Sequence, residues 1–131
     1  MTRNNSGLMY KYIKNRLLSF KWAITGMRKL FSNHANAQIH LLASIIVVLL
    51  AVYFRITVLE SCILVLCIGL VLSMEALNSA IEILSDRVSS KQDNMIEHVK
   101  DIAAAAVLLS AICAAIVGGI IFLPKVYALF F

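Results

Sequence analysis

Three long apolar stretches, separated by short polar breaks, follow a first segment of different character. In residues 8–31 the apolar positions Met9, Ile13, Leu17, Phe20, Ile24, Met27 and Phe31 recur at spacings of three and four. Lys11, Lys14, Lys21, Arg28 and Lys29 fall mainly on the opposite side. That period predicts an amphipathic helix, or two broken near Gly26, with Tyr10, Tyr12 and Trp22 at its border. Such a helix suits the headgroup layer and can also pack on the spans. The polar joint Ser32–Asn36 then leads into a stretch, 37–54, without Asp, Glu, Lys or Arg. At 1.5 Å per residue, these ~18 residues just cross a ~30 Å hydrocarbon core. They make the first predicted membrane helix, with His34 and Gln38 on one face of its entry and Asn36 and His40 on another.

Arg55, Thr57 and Glu60 form the only polar break before the second span, so the turn is short and the pair antiparallel. The second helix is predicted over 58–88, uninterrupted by Gly or Pro from Val71 onward. Residues 89–101 are polar and charged and are expected in water. The third helix is predicted over 101–123, capped by Asp101 and stopped by Pro124. Its Ala111, Ala115 and Gly119, spaced by four, permit close helix approach.

Composition turns these elements into a fold class. The 131 residues are 61% hydrophobic and 15% charged, more apolar surface than so small a soluble domain can bury. The chain reads as a single all-α integral-membrane domain, 1–131, whose helices need a partner subunit to enclose a pocket. A net charge of +5 would suggest nucleic acid in a soluble chain, but no base-reading motif accompanies it. Seven of the twelve basic residues precede the first span, which places the N-terminus and the 89–101 loop on the cytoplasmic side. Cys62, Cys67 and Cys113 lie inside apolar spans at spacings that fit neither a metal cluster nor a disulfide framework.

The candidate chemistry sits at the end of the second span. Glu75, Asn78, Glu82 and Asp86 share one face, since steps of about 100° bring them within an arc of roughly 80°. Ionisable groups at membrane depth cost on the order of 2.5–3.5 kcal/mol each on insertion scales and persist mainly where they line a site. Hard carboxylate oxygens suit Mg²⁺, which takes one or two carboxylates and completes its shell with water and phosphate oxygens. A second, partly desolvated carboxylate can take a proton from a lipid hydroxyl, and Lys100 can bind phosphate. No glycine-rich phosphate loop is present, so the pocket has to be built from helices. An ion-conducting oligomer is the competing reading, but Ile45–Phe54 and Cys113–Leu123 are almost purely apolar where a conduit needs polar lining. A structural subunit whose acids pair with a partner's basic residues is the third.

The run Glu75-x-Leu-Asn78-Ser79-Ala80-Ile81-Glu82-x-x-x-Asp86, with Lys100-Asp101 heading an Ala-rich span, resembles the prokaryotic integral-membrane diacylglycerol kinase family, undecaprenol kinases included. The resemblance runs from about Leu17 to Lys125. It implies a homotrimer of three-span subunits with an N-terminal surface helix and shared sites on the cytoplasmic face of the bacterial inner membrane. It implies further that Glu75 is the general base toward a lipid hydroxyl and that Asn78 orients the reacting groups. Glu82 would bind the Mg²⁺ carried by ATP, the Lys100-Asp101 pair would contact nucleotide, and Asp86 occupies the family's closing acidic position. Two departures stand out. His34 occupies a position where many members have a second metal-binding Glu, and imidazole is a poor Mg²⁺ ligand. Ser85 replaces an apolar residue and is expected at the helix surface. Ile68–Ser73 and Ile121–Lys125 lean slightly toward the undecaprenol branch over the diacylglycerol branch.

Overall fold

The computed structural model describes residues 5–88 and 93–130, with side chains from Met9 onward. Four helices follow one another: α1 (Asn5–Asn33), α2 (Ala35–Tyr53), α3 (Val58–Val88) and α4 (Asn94–Phe130). The last three are long and apolar enough to cross a membrane. The protein is an all-helical integral membrane protein.

α1 continues through Gly26 without a break. The joint to α2 is much shorter than the polar run 32–36 suggests, because His34 alone leaves helical geometry, with φ −116° and ψ 112°. Hydrogen bonds carry the ladder past it: the His34 N–H donates to the Leu30 carbonyl and the Gln38 N–H to the His34 carbonyl. The Gln38 side chain reaches back seven residues and donates to the Phe31 carbonyl at 3.0 Å, satisfying an acceptor that the end of α1 leaves open. Gln38 is therefore a helix cap in this chain.

Residues 54–57 turn α2 into α3. Arg55 takes a left-handed φ of 49°, unusual for a residue with a Cβ. Thr57 and Glu60 form a capping box: the Thr57 N–H donates to Glu60 Oε2 at 2.7 Å, and the Glu60 N–H donates to Thr57 Oγ1 at 3.3 Å. Glu60 Oε1 accepts from Lys125 Nζ at 2.8 Å, which ties the start of α3 to the far end of α4. Beside this link Phe54 meets Phe122, ring centroids 6.2 Å apart.

α4 departs from the expected third helix at both ends. It begins at Asn94, and its cap is Asp93, whose Oδ1 accepts the Met95 N–H at 2.9 Å. Asp101 lies two turns inside the helix, where the first-turn N–H groups are already out of reach, so it is not the cap. Residues 89–92 lie outside the described residues. At the other end α4 runs through Pro124 to Phe130. A proline removes one N–H and frees one carbonyl, whereas ending the helix inside an apolar medium would free several of each.

α3 packs chiefly on α4. Ala103, Val107, Ser110 and Ile121 form the buried stripe of α4, at spacings that return to one helix face. The small residues Ala115 and Gly119 are not part of that stripe. They line an open groove, and a Cβ at Gly118 would touch nothing within 4 Å.

Candidate active site

The stripe that buries α3 against its neighbours runs straight into the acidic run, and this positions the site. Leu64 and Val71 are its apolar part; Glu75, Asn78 and Ser85 continue it. Steps of about 100° keep these five positions within an arc of roughly 80°. Glu75 is 2% exposed and Asn78 4%, as deeply placed as any apolar core residue of α3. Glu82 is half-buried and Asp86 exposed, so the acids grade from the interior to the surface along one face. Ser85, expected at the surface, is buried, because it stands seven residues from Asn78 and so shares its face.

The other elements bring partners to this face. Glu75 lies within electrostatic reach of His40 on α2, of Glu82, and of His34 at the α1/α2 joint. α4 contributes Lys100, whose Nζ donates to Asp86 Oδ1 at 2.9 Å and which also lies within reach of Glu82. The sequence-predicted residues His34, Glu75, Glu82, Asp86 and Lys100 thus form a chain of neighbouring charges drawn from the joint, α3 and α4. Asp101 is exposed, one helical step of about 100° beyond Lys100.

Two buried polar atoms, Asn78 Oδ1 and Ser79 Oγ, have no hydrogen-bond partner among the described residues. Leaving such a group unpaired costs about 1–3 kcal/mol, so both mark positions that a ligand or a second chain would complete. Among the described residues no three His, Cys, Asp or Glu side chains close on one point. That is no obstacle to Mg²⁺, which accepts one or two carboxylates and fills its shell with water and phosphate oxygens. Glu82, half-buried and flanked by Glu75 and Lys100, fits the carboxylate role.

The sequence model of prokaryotic diacylglycerol kinases matches residues 21–122, a stretch that holds every candidate from His34 to Asp101. The chain belongs to the prokaryotic diacylglycerol kinase family. It is thereby a lipid kinase, as the resemblance of the acidic run implied. Among curated relatives, a diacylglycerol kinase of Synechocystis is 35% identical over 116 residues, covering 88% of this chain and 66% of the relative. An undecaprenol kinase of Bacillus subtilis is 35% identical over 107 residues, covering 82% of this chain and 87% of the relative. A diacylglycerol kinase of Escherichia coli K12 is 31% identical over 116 residues, with coverage of 88% and 91%.

Sequence reasoning missed two features that family membership makes relevant. The Asp86–Lys100 contact joins residues fourteen apart across a loop, and no helical period signals it. The depth of Ser79 was hidden because serine is read as a surface or capping residue, although it sits one position from Asn78 on the buried flank.

Proposed function

We propose that the protein transfers the γ-phosphoryl group of ATP to the hydroxyl of a membrane lipid alcohol. Diacylglycerol and undecaprenol are the two acceptors its relatives' names suggest, and the reading leans to undecaprenol. One observation carries it: a carboxylate, Glu75, is held 2% exposed at the inner end of an acidic face whose outer members meet a lysine from the next helix. Interior carboxylates in such a setting do chemistry more often than they stabilise a fold.

In this mechanism the lipid hydroxyl approaches Glu75, which takes its proton as the oxygen attacks the γ-phosphorus and ADP leaves. Asn78, buried beside Glu75 with its amide oxygen unpaired, orients the hydroxyl and the phosphoryl group. Glu82 would hold the Mg²⁺ that accompanies ATP, and that ion, when bound, neutralises phosphate charge during transfer. Lys100, steadied by Asp86, meets a phosphate oxygen, and Asp101 contacts the nucleotide. His34 stands where a second carboxylate would assist the metal, so Glu82 and the phosphates carry most of its binding.

The site faces the cytoplasm, where ATP is, and α1 lies in the headgroup layer with Trp22 and its other exposed apolar residues turned to lipid. A homotrimer completes the site; the two unpaired buried atoms and the large uncovered apolar surface of the single chain support this arrangement. The test is transfer of radiolabel from [γ-³²P]ATP by purified protein in mixed micelles, with undecaprenol and diacylglycerol side by side and Mg²⁺ varied. Labelling of neither lipid defeats the proposal, whereas flux through liposomes that needs Glu75 but no ATP supports the conduit reading instead.

A further inference from the structure

A hydroxyl on a helix ordinarily closes on its own backbone, giving its proton to a carbonyl one turn back. Ser19, Thr25, Ser44, Ser61 and Ser110 all do so, each donating to a carbonyl three or four residues earlier at 2.7–3.0 Å. Burial does not change the habit, since Ser110 is 7% exposed. Ser79 departs from it: the residue is 3% exposed, and its Oγ has no partner among the described residues. A buried hydroxyl with an unused proton is uncommon, because water has been removed and nothing has replaced it.

Its place on α3 indicates what would replace it. With Glu75 as origin, Glu82 lies about 10.5 Å further along the helix and within roughly 20° of the same line. Ser79 stands between them, about 6 Å along and roughly 40° to one side, while Asn78 stands about 4.5 Å along and roughly 60° to the other. The two unpaired atoms therefore straddle the line from the base to the metal-binding carboxylate. They are not equivalent. Asn78 Oδ1 can only accept a hydrogen bond, whereas Ser79 Oγ carries a proton to give. An ionised phosphoryl oxygen is also only an acceptor, so of the two atoms it can pair with Ser79 alone.

Space lies on the same side. A cleft between α1 and α3 is lined by Ala76, Ser79 and Ala80 on one wall and by Lys29, Asn33 and His34 on the other. α1 packs chiefly on α2, so helix contact does not fill this cleft. Two alanines keep the α3 wall low beside Ser79, and the opposite wall brings a cation and an amide, groups that suit phosphate oxygens.

We infer that Ser79 is a further catalytic residue, its hydroxyl donating a hydrogen bond to an oxygen of the γ-phosphoryl group as that group passes from ATP to the lipid. The inference rests on the lipid-kinase reading and adds one contact to it. The acceptor oxygen bonds to the γ-phosphorus while the bond from that phosphorus to the bridging oxygen breaks. The hydroxyl proton goes to Glu75, and the bridging oxygen leaves on ADP with the electron pair. Ser79 keeps its own proton throughout. Its donation counts most while charge is spread over the equatorial oxygens, so it lowers the barrier more than it tightens ground-state binding.

The experiment compares full-length wild type, Ser79→Ala and Ser79→Thr in mixed micelles with undecaprenol and diacylglycerol. Loss of one preorganised donor lowers kcat of Ser79→Ala on the order of 10²-fold while KM for ATP and for lipid holds. Ser79→Thr keeps a hydroxyl and recovers most of that loss. Inhibition by ADP with orthovanadate, a mimic of the phosphoryl group in transfer, weakens in parallel in Ser79→Ala, whereas inhibition by ADP alone does not. Stability separates this role from packing: removing an unpaired buried hydroxyl leaves the melting midpoint of Ser79→Ala level or raises it. A lowered midpoint or a lost oligomer in that variant would assign the hydroxyl to a contact within or between chains and overturn the inference. An unchanged kcat, a loss confined to KM, unaltered vanadate inhibition, or a threonine variant no better than the alanine one would overturn it too. If wild type itself phosphorylates neither lipid, the kinase reading falls and takes the inference with it; an active wild type matched by Ser79→Ala defeats the inference alone.

Discussion

The two ends of α3 place charge differently. At the Arg55 end the carboxylate is fully used: Glu60 closes a capping box with one oxygen and accepts from Lys125 with the other, and two aromatic rings meet beside it. At the acidic end the polar groups lie deeper and are less satisfied. Glu75 and Asn78 are nearly inaccessible, Asn78 Oδ1 and Ser79 Oγ lack partners among the described residues, and the Asp86–Lys100 ion pair stands in the open with side chains 69% and 38% exposed. Saturated hydrogen bonding marks a structural joint, while buried polarity without partners marks a place kept for something else.

The strongest break in this contrast is Glu75→Gln. Removing a general base lowers kcat by roughly 10²–10⁴-fold, whereas the neutral amide spares the fold the burial of a charge. Turnover is expected to vanish while assembly, melting temperature and nucleotide binding persist; a variant that loses its oligomer or its ATP binding assigns Glu75 to structure. The opposite pattern is expected at the other end. Glu60→Ala removes both the cap and the α3–α4 link, so it lowers the melting midpoint by several degrees in a thermal scan and leaves KM for both substrates alone.

Lys100→Met comes next. Loss of a charge-assisted contact to phosphate raises the KM for ATP by roughly 10- to 100-fold. Asp86→Asn, which loosens only an exposed pair, raises it by a factor of a few, measured in the same assay. Equal effects of the two would mean that Asp86 itself touches the nucleotide. His34→Glu is expected to act in the favourable direction: a further carboxylate at the joint, within reach of Glu75, lowers the Mg²⁺ concentration needed for half-maximal activity severalfold. No change would place residue 34 away from the metal.

Much of this contrast can be read along the chain. A 3.6-residue period and hard arithmetic on apolar run length were enough to find the three spans, and the face shared by Glu75, Asn78, Glu82 and Asp86 follows from helical geometry alone. What periodicity could not reach depends on chain reversal. Gln38 capping α1, Asp86 meeting Lys100 and Glu60 meeting Lys125 all pair residues on different helices or across a break, where no local rule fixes register. Pro124 misled because the rule that prolines end helices is weighed in water, where freed backbone groups find partners. Asp101 misled for a related reason: an acid before an apolar run looks like a cap until a better one, Asp93, is found eight residues earlier.

The smallest expected effect lies in the turn that closes the structural end. Arg55 sits at φ 49°, in the region where a Cβ crowds the following carbonyl at a cost of roughly 1–2 kcal/mol. Arg55→Gly relieves that crowding but adds freedom to the unfolded chain worth roughly 0.5–1 kcal/mol, so the net gain is on the order of half a kcal/mol. Thermal unfolding in detergent should show a small upward shift with unchanged kinase activity. A clear loss of stability would mean that the Arg55 side chain contributes more than its backbone strain takes away. The structural end would then depend on a charge at the membrane surface as well as on the capping box and the Lys125 link.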